Sequence, residues 1–159
     1  MIEYQVEIDN LVLEQLHSRF IEAAPSEAYA FLGGKIVGRF CYSINIIYTP
    51  MPQAATRYSF RMTEEARVQA NAFISGQGLD LIGIAHSHHS SNGRGLLPSI
   101  NDARLQQDNH LILSLIMTFP TGKGGKQALT CWLNGFAAPL DIRVRDRVSR
   151  EMSQVLELL

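Results

Sequence analysis

Cysteine is scarce in this chain: Cys41 and Cys131 are the only two in 159 residues. That is too few for a disulfide framework, and both sit in apolar, strand-like runs where a free thiol behaves as a small hydrophobe. Charge of one sign is also missing. The 14 Lys and Arg stand against 15 Asp and Glu, a formal net charge of -1, so no electrostatic field argues for nucleic acid or an anionic membrane. No segment approaches the roughly 20 consecutive apolar residues of a membrane span. The opening stretch MIEYQVEIDN carries acids where a secretory signal needs a basic start followed by an apolar run. A cytoplasmic location is therefore the expectation. Repeats, linkers and low-complexity tracts are lacking too, and no composition shift marks a domain boundary. What remains is ordinary globular usage, 46% hydrophobic and 18% charged, of a length that suits one domain over residues 1 to 159.

Hydrophobic periodicity orders the chain. Residues 10 to 24, NLVLEQLHSRFIEAA, put Val12, Leu13, Leu16, Phe20 and Ile21 at helical spacing, with Asp9 or Asn10 as N-cap and Pro25 as the stop. His17 on this helix reads as a packed or half-exposed residue, not a ligand. EAYAFLGG and RFCYSINIIYTP read as consecutive strands, with Gly33, Gly34 and Gly38 as turn signals between them. RYSF at 57 to 60 is a short strand. TEEARVQANAFIS predicts a helix capped by Thr63, with two glutamates in its first turn and Gly76 as terminator. LDLIGIAHS is a buried-type strand, SINDARLQQDN after Pro98 a helix, and HLILSLIMTF another apolar strand. TGKGGKQ is a turn, and ALTCWLN and part of PLDIRVRD are the last strands. Residues 147 to 159 predict a C-terminal helix with Val148, Met152, Val155 and Leu159 on one stripe. The fold class that follows is α/β or α+β, a mixed sheet with helices packed on it.

The chemistry-bearing residues concentrate in IGIAHSHHSSNGRGLLPSIND, residues 82 to 102. Side chains at i and i+2 of a strand share a face, so His86 and His88 project together while Ser87 and His89 point the other way. Two adjacent imidazoles make half of a tetrahedral metal site, and Asp102, in the first turn of the next helix, can supply a third ligand, leaving the fourth position for water. A site of that kind needs a base, and Glu27, a carboxylate at the start of an apolar strand, suits the role. Ser99 is then free to donate its hydroxyl to a developing oxyanion. Plainer readings stand beside each of these. An HxH pair arises by chance, Glu27 alone is a charge at a strand start, and Ser99 with Asp102 is an acceptable helix-start pattern. The same Ser and Asp can serve both as cap and as site residues.

Taken in order, Glu27, the HSH that ends a strand and the PSxxD that begins a helix resemble the JAMM motif of the MPN+ (JAB/Mov34) metalloproteases. The matching segments are PSEAYAFLGG, with Pro25, Glu27, Leu32 and Gly33, and HSHHSSNGRGLLPSIND, with His86, His88, Pro98, Ser99 and Asp102. The element order is similar as well, so the resemblance covers roughly residues 5 to 146. It implies a cytidine-deaminase-like MPN fold with a curved central sheet flanked by helices. It further implies Zn2+ on His86, His88 and Asp102, with Glu27 handling the proton of the attacking water and Ser99 near the oxyanion. Two departures stand out. His89 occupies the place where most members have proline, and ten residues separate His88 from Ser99, three more than the family usually has. His89 is therefore an extra ligand, an exposed contact or a passive substitution, and strand alternation points it away from the metal. Arg94 in the lengthened loop 89 to 98 is a candidate substrate contact.

The activity that the resemblance implies is cleavage of a peptide or isopeptide bond after the C-terminal glycine of a ubiquitin-like protein, in the manner of a deubiquitinase. A stand-alone domain of this size is similar to the prokaryotic branch, where partners include ubiquitin-fold sulfur carriers and modifiers with their own activating and conjugating enzymes, some of them antiphage systems. Two other classes compete: a non-catalytic MPN scaffold that pairs through its helices, against which retention of all five motif residues argues, and a metal-dependent hydrolase of small amides or cell-wall peptides. Neither nucleic acid nor membrane is expected as a partner, and a homodimer through the C-terminal helix stays open.

Overall fold

The computed structural model describes residues 4–51, 54–55, 60–89, 98, 100–119, 128–134 and 139–146. Along the chain these form β1 (Gln5–Asp9), α1 (Asn10–Ala23), β2 (Tyr29–Val37), β3 (Cys41–Tyr48), β4 (Ala54–Ala55) and β5 (Phe60–Arg61). Then come α2 (Glu64–Gly76), β6 (Asp80–His89), α3 (Ile100–Asp108), β7 (Leu113–Phe119), β8 (Ala128–Leu133) and β9 (Asp141–Arg145). Seven strands make one sheet in the order β8-β7-β6-β2-β3-β1-β9, and β4 pairs with β5 in a separate two-stranded ribbon. The sheet is mixed. β6 runs parallel to β7, and β1 parallel to both β3 and β9, while β2 is antiparallel to both of its neighbours. The class is α+β, a curved mixed sheet with three helices packed on it among the described residues.

Each face of the sheet carries its own core. On one, Val12, Leu16 and Phe20 of α1 pack against Val6, Ile8, Ala30, Leu32, Ile44, Leu113 and Leu115. On the other, Ala66, Ala70 and Ile74 of α2 pack against Tyr29, Phe31 and Ile84, with Leu105 of α3 alongside. The helix starts follow the expected chemistry in one case and not in the other. Thr63 accepts the Ala66 N–H at 3.1 Å, a regular N-cap, whereas Asp9 sits at the N-cap of α1 without a side-chain cap bond. His17 lies against the Phe119 ring, centroids 5.6 Å apart, which is the packed role expected of it.

The structure adds one strand and changes two sequence expectations. QVEID is a strand, although its regular alternation of Val6 and Ile8 with polar residues was available as a signal. Gly33 and Gly34 do not turn. β2 runs through them, and the hairpin turns at Gly38, whose φ is +69°. The two glycines serve close approach instead: a Cβ at Gly34 would sit 1.7 Å from the Ser43 carbonyl oxygen, and one at Gly33 would sit 2.8 Å from Ile46. Register slips on both sides of this pair, so a bulge bends the sheet there. Finally, the α2 terminus lies past Gly76, which is its last helical residue; the left-handed residue is Gly78, at φ +74°. The expected turn at 121–127 and the C-terminal helix at 147–159 lie outside the described residues. Among the described residues, no helix is long and apolar enough to cross a membrane.

Candidate metal centre

The bulge fixes which side of β6 holds the histidines. Opposite Leu32 and Gly33 on β2 stand Gly83 and Leu81, so Ile82 is the extra residue and the alternation of faces resets beyond it. Ile84, His86 and His88 thereafter share the face that α2 and α3 cover. This is why Ile82 packs in the α1-side core while Ile84 packs in the other. β6 extends to His89, two residues past the expected strand end, paired with Phe119 of β7. The side chain of His89 lies outside the described residues, as do Arg94 and Ser99.

Three sequence-predicted residues come together. His86 Nε2 and His88 Nε2 are 3.0 Å apart, and Asp102 Oδ2 lies 3.3 Å from the first and 3.4 Å from the second. Asp102 stands in the first turn of α3, and α3 is tied down by Gln106, one turn further along. The buried Gln106 amide donates to the Ile112 carbonyl at 2.9 Å and to the Trp132 carbonyl at 3.4 Å. These bonds anchor the helix to the β7 and β8 side of the sheet and so set where Asp102 hangs over the end of β6.

The fit of this triangle to a metal ion can be tested on its dimensions. A tetrahedral ion with ligands at about 2.0–2.1 Å has ligand-to-ligand edges of about 3.3–3.4 Å. The three edges here match that figure to within a few tenths of an ångström. As a salt bridge the arrangement is poor, because charge-assisted N–H···O bonds contract to about 2.7–2.9 Å. All three groups are also taken out of water, with side chains only 1%, 7% and 9% exposed for His86, His88 and Asp102. Converging lone pairs and a buried carboxylate are costly unless a cation satisfies them. The residues present therefore fit a divalent ion, and they form a group of potential ligand atoms within 4.8 Å of one another.

Aromatic rings wall the site. Phe60 of the β4–β5 ribbon stacks on Tyr29, centroids 4.8 Å apart, and lies 5.2 Å from the His86 ring. Tyr29 is the cross-strand partner of His86, and burial pushes its phenol above its usual pKa, so it stays neutral. The His86 Nδ1, buried, finds no partner among the described residues. Glu27 is buried, 6% exposed, in the segment just before β2. Continuing the register of Tyr29 with His86 sets Glu27 across from His88, and the period of two puts its side chain on the histidine face. Two residues to which the sequence assigned no role emerge here as supports. Gln106 is one. The other is Ser87, whose hydroxyl accepts the Ala28 N–H at 2.9 Å. Position i+4 from Asp102 on a helix was a usable signal for Gln106; Ser87 lies within HSH, but nothing local gave it a role.

No protein-family model and no curated protein matches the chain. Solved structures do. The solution structure of protein DSY2949 from Desulfitobacterium hafniense superposes with a TM-score of 0.68 at 19% identity, covering 89% of this chain and 94% of that one. The crystal structure of AF2198, a JAB1/MPN domain protein from Archaeoglobus fulgidus, superposes with a TM-score of 0.58 at 16% identity, covering 88% and 99%. With its sheet order, its face-specific cores and its candidate His-His-Asp metal group, the chain has the fold of a JAB1/MPN domain.

Proposed function

We propose that the chain is a zinc-dependent hydrolase that cleaves the amide bond after the C-terminal glycine of a ubiquitin-like protein. The observation that carries the reading is the triangle of His86, His88 and Asp102, with tetrahedral edges, two imidazole nitrogens and one carboxylate oxygen. That set suits zinc best among the common metals, and three protein ligands leave one position open for catalysis. When bound, zinc supplies a Lewis acid that lowers the pKa of water towards 7 and polarises a carbonyl. The protein's own groups do the rest. Glu27, on the histidine face, takes the proton from the attacking water and passes it to the departing amine, a role that calls for a carboxylate within reach of both. Ser99 donates its hydroxyl to the oxygen that gains charge at the scissile carbon. Phe60 and Tyr29 exclude water from the His86 side.

The substrate class rests on the JAB1/MPN fold together with the retained motif residues. The experiment is incubation of the purified chain with ubiquitin-like proteins extended past their terminal glycine, with and without a chelator and with a Glu27→Gln variant. Zinc-dependent release of the free glycine terminus, abolished by chelator and by E27Q, is expected. A purified protein without zinc, or full activity in E27Q, would sink the reading.

A further inference from the structure

Ser87 stands between the two histidines in sequence, yet it faces the opposite side of the sheet and is completely buried. Its N–H donates to the Ala28 carbonyl at 3.0 Å, as in a regular antiparallel ladder. The return bond is not regular. The Ala28 N–H is taken by the Ser87 hydroxyl at 2.9 Å, where a ladder would use the Ser87 carbonyl. A side chain thus stands in for the backbone at the point where β2 begins, and Ala28 stays bonded on both of its polar groups while lying outside the strand. Glu27 is the next residue, and its buried carboxylate has no freedom to find its place through solvent.

We propose that Ser87 is a positioning residue: its hydroxyl, by holding the Ala28 N–H, sets Glu27 on the histidine face opposite His88. Without that acceptor a buried N–H is left unpaired, and the segment before β2 relieves the loss by pulling away from β6. The two motifs, separate in sequence, are thereby joined at Ala28 by a side-chain bond added to the Ser87 N–H bond, and neither passes through a metal ligand. The consequence for catalysis rests on the hydrolase reading above; the geometric consequence does not.

The test uses the full chain loaded with zinc, in Ser87→Ala and Ser87→Thr variants, the second keeping the hydroxyl. Zinc content, amide exchange at Ala28 by NMR, and cleavage of ubiquitin carrying a fluorogenic amide on its C-terminal glycine are the readouts. In S87A, one zinc per chain is expected with KM unchanged, kcat lower by about 10- to 100-fold, the range for outer supports of a metal site. Ala28 exchange should accelerate at least about tenfold, and S87T should recover both. Wild-type kcat or wild-type Ala28 exchange in S87A overturns the inference, and so does loss of zinc from S87A, which would make Ser87 a support of the ligands instead. If the wild type shows no zinc-dependent cleavage, the hydrolase reading falls. Ala28 exchange then decides the matter alone: faster in S87A and restored in S87T upholds the positioning, and any other pattern overturns it.

Discussion

His86 and His88 hold their Nε2 atoms 3.0 Å apart on one face of β6, and Asp102 Oδ2 closes the triangle from α3. A three-donor site loses more when a donor is removed than when an outer support is, and outer supports already cost 10- to 100-fold in affinity. Asp102→Ala and His88→Ala should therefore each weaken zinc binding by more than about 100-fold. Competition with a chelating dye measures it, and a D102A protein that holds zinc as tightly as the wild type would exclude Asp102 as a ligand.

Gln106 ties α3 to two carbonyls, those of Ile112 and Trp132. Gln106→Leu keeps most of the volume and leaves both oxygens without this donor, a loss of about 1–3 kcal/mol. Because the same helix carries Asp102, zinc affinity should fall along with stability. Urea unfolding of the metal-free protein gives the first quantity and dye competition the second. Lower stability with unchanged affinity would separate Gln106 from the site.

Gly34 faces the Ser43 carbonyl at a distance no Cβ tolerates, and that obstacle is backbone. Gly34→Ala must part β2 from β3 locally, and overpacking costs about 1–3 kcal/mol, with a backbone obstacle placing this case at the upper end. Gly38→Asn provides the contrast: nothing lies within 4 Å of a Cβ there, and asparagine tolerates the positive φ. Thermal unfolding of the two variants side by side should show a large drop for G34A and a small one for G38N. Equal midpoints would contradict the close approach.

The two thiols should differ in reactivity. Burial pushes the Cys131 thiol up to about 12, and its side chain is inaccessible, so little thiolate exists at pH 8. Cys41 is only partly buried, and its thiol is raised by desolvation and by the Glu7 carboxylate, against the lowering pull of Arg145 and Arg143. Iodoacetamide at pH 8 should add one carbamidomethyl group to the native chain, at Cys41, and a second only in denaturant. Raising the pH towards 9 should speed the first addition. Peptide mapping that found Cys131 modified first would be incompatible with its place in the core.

Part of this protein can be read from one dimension. Periodicity of two is a property of any extended backbone, so the shared face of His86 and His88 follows from HSH alone, and the Thr63 cap and the amphipathic α1 and α2 follow from equally local rules. The order Glu27, HSH, PSxxD named the candidate residues. Glycine is where local reading faltered, because the absence of a side chain serves a turn and a close strand approach alike, and only a neighbouring strand distinguishes them. At Gly33 and Gly34 that neighbour is β3, and the bulge beside them decides which face of β6 the histidines occupy. Tertiary structure alone decided the metrics of the site: the 3.0–3.4 Å triangle, the hold of Gln106 on α3 and the Ser87 bond to Ala28. Those depend on strand register and helix docking, which are set by packing summed over the whole sheet, and no short stretch of sequence contains that sum.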